Sequence, residues 1–341
     1  MQRSRVIFGC GGPTLSSDEQ AFFRDCRPWG FILFARNIEN PDQVKSLVRA
    51  LRETIEDNSA PILIDQEGGR VARLKPPHWR ERSPAARFGA LHTVNPVSAH
   101  EAAYLNARLI AHELTELGIN VDCLPVLDVP VEGAHDVIGD RAFGHDTTTV
   151  IDLGRAQMEG LLEGGVLPVM KHIPGHGRAA ADSHLELPRV KTPRAELAAS
   201  DFVPFRSLDT CPMAMTAHVV YESIDPQRPC TISPKVIREV IRGEIGFAGL
   251  LMSDDLSMQA LEGSLGARAR AAQVAGCDVV LHCNGKMDEM KQVAAEAKAL
   301  TGEAERRAVH AISLLALERA DAAFEPEVAE TRLQQLLAEA P

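Results

Sequence analysis

Two short stretches hold residues whose types and spacing suit proton transfer and nucleophilic attack. The first, residues 169–188, reads VMKHIPGHGRAAADSHLELP. Lys171 and His172 end an apolar run, Pro174, Gly175 and Gly177 interrupt any helix, and Asp182 and His184 follow two positions apart. A carboxylate that accepts a hydrogen bond from one ring nitrogen of a histidine fixes its tautomer and favours the imidazolium. The other nitrogen is then left to give or take a proton. Asp182 and His184 are therefore a candidate acid/base dyad, although i, i+2 spacing in a loop permits many geometries. The second stretch, LLMSDD at 250–255, ends an apolar run in Asp254 and Asp255. Adjacent acids at such a junction ordinarily serve a helix N-terminus. At the mouth of a barrel, one of them is instead placed to attack an electrophilic carbon such as the anomeric carbon of a sugar.

Two further stretches offer groups for binding. PILIDQEGGRVAR, residues 61–73, ends an apolar run at Asp65 and turns at Gly68 and Gly69, while IGDRAFG, residues 138–144, supplies Arg141. Asp65 can accept hydrogen bonds from sugar hydroxyls, and Arg73 and Arg141 can donate them. The structural alternative is a turn in which Glu67 pairs with Arg70 or Arg73. His172 and His176 have the i, i+4 spacing of a zinc-binding helix, but Pro174 and Gly175 break that helix. The chain also lacks the His-x-His pair expected of metal-dependent barrel hydrolases. No metal and no cofactor is expected.

Eight apolar or β-branched runs supply the framework for these residues: 5–9, 30–34, 61–65, 120–127, 166–170, 212–217, 249–253 and 278–282. Helices are signalled between them. Ser16 with Glu19 has capping-box spacing, Asn40-Pro41 and Ser233-Pro234 place a capping side chain before a first-turn proline, and 98–117 is long and helix-prone. Gly118, Gly164-Gly165, Gly246 and Gly276 read as helix stops, and 303–323 as a closing helix. Strict βα alternation over eight units predicts a single-domain (β/α)8 TIM barrel over residues 1–341 with a C-terminal helix. In that fold chemistry sits beyond the C-terminal ends of the strands. Asp65 follows strand three, Asp128 strand four, Lys171 and His172 strand five, His218 strand six, and Asp254 and Asp255 strand seven.

Composition narrows the function classes. The 341 residues are 45% hydrophobic, 24% charged and 4% aromatic, as in a globular enzyme rather than a disordered chain. The formal charge of −11, with no basic patch, argues against nucleic acid or anionic lipid as a partner. No apolar run reaches the 18 or so residues needed to span a bilayer, and the run at 6–8 is too short for a signal peptide. Seven scattered cysteines without a C-x-x-C pair read as thiols of a reducing cytoplasm.

Together LIDQEGGRVARL, IGDRAFG, KHIPGHG, DSH and SDDLSM resemble, in order and spacing over residues 60–260, the bacterial β-N-acetylglucosaminidases of glycoside hydrolase family 3, single-domain enzymes of cell-wall recycling. The resemblance implies Asp254 as nucleophile, His184 as general acid/base with Asp182 as its partner, and Asp65, Arg73, Arg141, Lys171 and His172 as sugar-binding residues. It also implies an exo-glycosidase that retains configuration, and a cytoplasmic monomer is expected. Its small-molecule substrate would be a muropeptide, N-acetylglucosaminyl-anhydro-N-acetylmuramic acid with or without peptide. The chain departs from the family at Gln66, where histidine is common, and at Ile173, where phenylalanine is common. Neither position has an assigned role, so the departures are expected to touch only packing near the pocket.

Three other readings of the same residues compete. Adjacent acids suit a mechanism in which the substrate's own acetamido group is the nucleophile. Lys171 at a strand end suits a Schiff-base aldolase or lyase, although no phosphate-binding motif accompanies it. A sugar-binding barrel without catalysis is the third.

Overall fold

The computed structural model describes residues 2–133, 135–179, 183, 186–317 and 324–341. Among the described residues, eight parallel strands close a barrel in sequence order: β1 (Ser4–Gly9), β2 (Pro28–Leu33), β3 (Ile62–Ile64), β4 (Val121–Asp122), β5 (Leu167–Ile173), β6 (Met213–Thr216), β7 (Leu250–Asp255) and β8 (Val279–His282). The register closes through Val6 opposite Val280. A separate two-stranded parallel ribbon, Arg189–Val190 with Val220–Tyr221, lies outside the barrel. The expected (β/α)8 architecture is the observed one.

Strand residues alternate between two environments, as the pleat requires. Ile7, Ile32, Leu63, Val121, Leu167, Val169, Met213, Met215, Leu250, Met252, Val279 and Leu281 fill the barrel. Phe8, Phe31, Ile62, Met170, Ala214, Leu251 and Val280 face the surrounding helices. The helix Gly302–Leu317 closes the end at which the strands begin. Ala304, Ala308 and Ala311, at i, i+4 and i+7, join the interior cluster, and the Leu300 N–H donates to the Arg3 carbonyl at 2.7 Å.

The helix signals are realised. Ser16 and Glu19 form the reciprocal capping box, the Asn40 side chain accepts from Gln43 N–H ahead of Pro41–Thr54, and Ser233 Oγ accepts from Val236 N–H at 3.1 Å. The stops Gly118 and Gly276 have φ of 78° and 124°, which favour glycine.

Several boundaries differ from expectation. The fourth strand pairs over Val121–Asp122 and resumes as a single bridge from Val126 to Lys171, because Pro125 between them has no N–H to give the ladder. The fifth and seventh strands run further than expected, so Lys171, His172, Asp254 and Asp255 lie within their final residues rather than beyond them. The long helix expected over 98–117 is Pro96–Glu116, capped by Asn95 two residues earlier than expected, and a further helix, Ala85–Val94, precedes it. The expected closing helix is Gly302–Leu317, and residues 318–323 lie outside the described residues. A further helix, Pro326–Leu337, adds to the expected set. It is fastened to the barrel by Arg82 to Glu330 at 2.6 Å and Arg332 to Glu101 at 2.7 Å. Among the described residues no helix is long and apolar enough to cross a membrane.

The helix Ala85–Val94 makes one very close approach to a loop at the barrel mouth. A Cβ on Gly89 would lie 1.5 Å from the Phe143 carbonyl oxygen, so the loop that carries Arg141 rests directly on this helix backbone. Gly89→Ala should therefore destabilise the protein by about 1–3 kcal/mol by overpacking, against the roughly 1 kcal/mol gain that alanine brings to an open helix position. Urea denaturation decides the sign: a raised midpoint would mean the loop does not need this contact.

Candidate active site

The strand ends surround a cavity of ≈ 350 Å³. On one wall, Lys171 of β5 is 2% exposed. Its Nζ lies 2.9 Å from Asp65 Oδ1 and 2.6 Å from Glu67 Oε1. The other Asp65 oxygen accepts from Arg73 Nη2 at 3.0 Å, and both Glu67 oxygens are held by Arg141, from Nε and Nη2, each at 2.8 Å. The bidentate fork fixes the plane as well as the position of the guanidinium.

Burial and pairing oppose each other at Lys171, Asp65, Glu67 and Arg141. Burial alone would lower the Lys171 pKa, but Asp65 and Glu67 outweigh it and raise the value. Burial would raise Glu67, yet Lys171 and Arg141 pull it down to about 2. Asp65 is lowered likewise, by Lys171 and Arg73 against the effect of burial. Lys171, Asp65, Glu67 and Arg141 are charged at neutral pH. A Schiff base requires a neutral amine, so the lysine is an unsuitable nucleophile here and an effective hydrogen-bond donor. The structure also overturns the turn pairing considered for Glu67. Arg70 instead binds Asp140 at 2.7 Å and the carbonyls of residues 136–138, and Arg73 binds Asp65.

A second group lies below His172. Its Nδ1 meets Asp128 Oδ2 at 2.6 Å, and Asp128 Oδ1 accepts from His176 N–H at 2.6 Å. Burial would raise Asp128, but His172 beside it brings the pKa down to about 2. His172 therefore presents its Nε2 edge with its tautomer set by a carboxylate. His176 also lines the cavity. Burial, followed by the neighbouring His172, lowers its pKa to about 4, which leaves it neutral and unsuited to donate a proton at neutral pH. The His172 and His176 rings are 5.7 Å apart. Among the described residues no cluster of three or more His, Cys, Asp or Glu is arranged to hold a metal ion.

Across the cavity, both acids of β7 line the wall, but their carboxylates are held differently. The Asp255 carboxylate is occupied by the loops around it, with Oδ1 accepting from Ser257 N–H at 3.0 Å and Cys283 N–H at 3.1 Å, and Oδ2 from Ser257 Oγ at 2.5 Å. Asp254 lines the cavity with its N–H on Thr216 Oγ1 at 3.4 Å, and its Oδ1 accepts from Asp255 N–H at 2.8 Å. His218 serves as a support rather than a site residue. Wholly buried, it meets Thr231 Oγ1 through Nδ1 at 2.7 Å and the Asp255 carbonyl through Nε2 at 3.0 Å.

The geometry thus gathers Asp65, Arg73, Arg141, Lys171, His172 and Asp254 around one cavity. Asp182 and His184 lie outside the described residues. Ser183 is described and buried, and its Oγ is 3.3 Å from His176 Nε2. Sequence reasoning gives Glu67 a turn pairing but no part in the site. The usable signal is its place two residues after Asp65, on the same face of an extended chain.

Over residues 14–313 the chain matches the family model described as Glycosyl hydrolase family 3 N terminal domain. It is 42% identical over 283 residues to a beta-hexosaminidase of Alkalilimnicola ehrlichii, covering 82% of this chain and 80% of the relative. It is 39% identical over 282 residues to a beta-hexosaminidase of Methylococcus capsulatus, covering 82% of each. Among solved structures, NagZ of Neisseria gonorrhoeae in complex with N-trifluoroacetyl-D-glucosamine superposes with a TM-score of 0.86 at 29% identity, covering all of this chain and 99% of that one. A glycoside hydrolase family 3 beta-N-acetylglucosaminidase from Paenibacillus sp. str. FPU-7 superposes at 0.85 and 29% identity, over 98% of this chain and 67% of that one. Because the family match runs through every barrel strand but the first, the chain belongs to glycosyl hydrolase family 3.

Proposed function

We propose that the protein is a retaining exo-β-N-acetylglucosaminidase that releases terminal β-linked N-acetylglucosamine from muropeptides, of the type N-acetylglucosaminyl-anhydro-N-acetylmuramic acid with or without peptide, in cytoplasmic cell-wall recycling. The observation that carries this reading is the placement of Asp254 in the wall of the same cavity as the Asp65, Arg73, Arg141 and Lys171 cluster. The relatives' designation as beta-hexosaminidases and the aminosugar held by the NagZ neighbour support the choice of sugar.

In this reading the cluster and His172 hold the ring through its hydroxyls, as a small molecule without a cofactor or partner chain, and the enzyme acts as a monomer. An Asp254 carboxylate oxygen attacks the anomeric carbon as the bond to the leaving oxygen breaks through an oxocarbenium-like transition state. His184, kept protonated by Asp182, gives its proton to that oxygen. It then takes a proton from the water that attacks the glycosyl ester, which frees Asp254 with configuration retained. Asp255, whose carboxylate is occupied by Ser257 and Cys283, is no substitute for the nucleophile.

Three outcomes are expected. Asp254→Ala should lower kcat on a chromogenic N-acetylglucosaminide by about 10⁴-fold or more with N-acetylglucosamine binding kept, and a fluorinated aminosugar should add its mass to the peptide containing Asp254. An unlabelled peptide or undiminished turnover rejects the covalent route. Activity should fall on the alkaline side as His184 deprotonates, and Asp182→Asn should move that limb to lower pH by removing the anion that favours the imidazolium; a limb that stays in place rejects the pairing. Glu67 has a folded pKa of about 2 against an ordinary 4.5. Its contribution to stability is therefore present above pH 4.5 and lost as pH falls toward 2. Glu67→Gln should flatten the decline of the denaturation midpoint across that window, and an unchanged slope would show that the cluster does not set acid stability.

A further inference from the structure

Gln66 sits between Asp65 and Glu67, yet it is 1% exposed and does not line the cavity. Its side chain is directed at one short piece of backbone. Oε1 accepts from Arg73 N–H at 2.8 Å and from Leu74 N–H at 3.0 Å, while Nε2 donates to the Leu74 carbonyl at 3.1 Å. Its own N–H donates to Asp122 Oδ1 at 2.9 Å, at the end of β4. One buried amide therefore ties the two ends of the Glu67–Ala72 turn together and anchors that tie to the barrel. Within the turn, Glu67 N–H donates to the Val71 carbonyl at 2.9 Å, so the segment is short and closed.

Arg73 needs such a tie. Its guanidinium reaches Asp65 through Nη2 and lies 5.1 Å from the centroid of the Phe34 ring, but its Nε is buried with no hydrogen-bond partner. With Asp65 the hydrogen-bond partner of Nη2 and Nε left without one, the course of the side chain toward Asp65 is set from the Arg73 backbone. That backbone is held by the Gln66 amide.

We propose that Gln66 is the positioning residue that sets Arg73 against Asp65, and so tunes how tightly the pocket holds the sugar. The inference rests on the reading of Arg73 as a donor to sugar hydroxyls. It also revises the expectation that position 66 touches only packing. Such a contact acts in the ground state and the transition state alike, so its loss should appear in KM rather than kcat.

The test is a double-mutant cycle on a chromogenic N-acetylglucosaminide, with thermal unfolding of every protein measured alongside. Gln66→Met keeps the length of the side chain and removes its hydrogen bonds, so KM should rise about tenfold with kcat changed by less than about threefold. In an Arg73→Ala background the same change should add less than about twofold, because a residue that acts through Arg73 has nothing left to act on. Should Gln66→Met not fold, Gln66→Asn, one methylene shorter, carries the same expectation. Equal increases in KM in both backgrounds, or an unchanged KM in the folded variant, overturns the proposal. If Arg73→Ala raises KM and Gln66→Met does not, the positioning role alone is lost. If Arg73→Ala leaves KM unchanged, or the wild type does not turn the substrate over, the underlying reading fails and takes the inference with it.

Discussion

The site depends on a buried ammonium group shared by two carboxylates. Lys171, inside β5, draws Asp65 from the end of β3 and Glu67 from the turn beyond it, and these in turn hold Arg73 and Arg141. Removing a charge from water costs several kcal/mol, and the attraction between partners offsets this only when each lone pair and proton is well placed. Here both oxygens of both carboxylates are used. The cluster therefore tolerates little displacement of the strands and loops that supply it. The same saturation makes its exposed donors and acceptors rigid, and rigidity is what a pocket needs to recognise hydroxyl positions on a ring.

The two acids of β7 show how neighbouring residues of one type acquire different tasks. Asp255 gathers the chain around the ends of β7 and β8, accepting from Ser257 and Cys283 through its side chain and from His218 through its carbonyl. That bracing fixes Asp254 at the cavity wall, where the proposed covalent step takes place. The pKa values divide the histidines in a comparable way. His176 is neutral because it is buried, whereas Asp128 orients His172 and leaves one edge of its ring facing the cavity.

Much of this is legible in the sequence because it depends on local rules. Apolar and β-branched runs locate all eight strands, and capping residues with glycine stops locate most helices. The motif blocks identify the cavity residues from Asp65 to Asp254. What escapes is set by distant partners. Glu67 looks like a turn acid because its true partners, Arg141 and Lys171, lie 74 and 104 positions further along. Gln66 looks interchangeable because its role is a set of hydrogen bonds to backbone, which residue type does not reveal. Two other differences have local causes. The early end of β4 follows from Pro125, and the start of the long helix at Pro96 rather than at residue 98 carries the same Asn-Pro signature as Asn40-Pro41.

The helix Gly302–Leu317 beneath the barrel has a kinetic consequence. With Ala304, Ala308 and Ala311 packed under an interior already filled by strand side chains, the described residues close the cavity at its barrel end. In the proposed reaction, whatever enters last must depart first. The aglycone has to clear the doorway before water can reach the ester, and the released monosaccharide, seated deepest, is the final species out. Turnover would then be throttled by free N-acetylglucosamine reoccupying the dead end, in competition with fresh substrate.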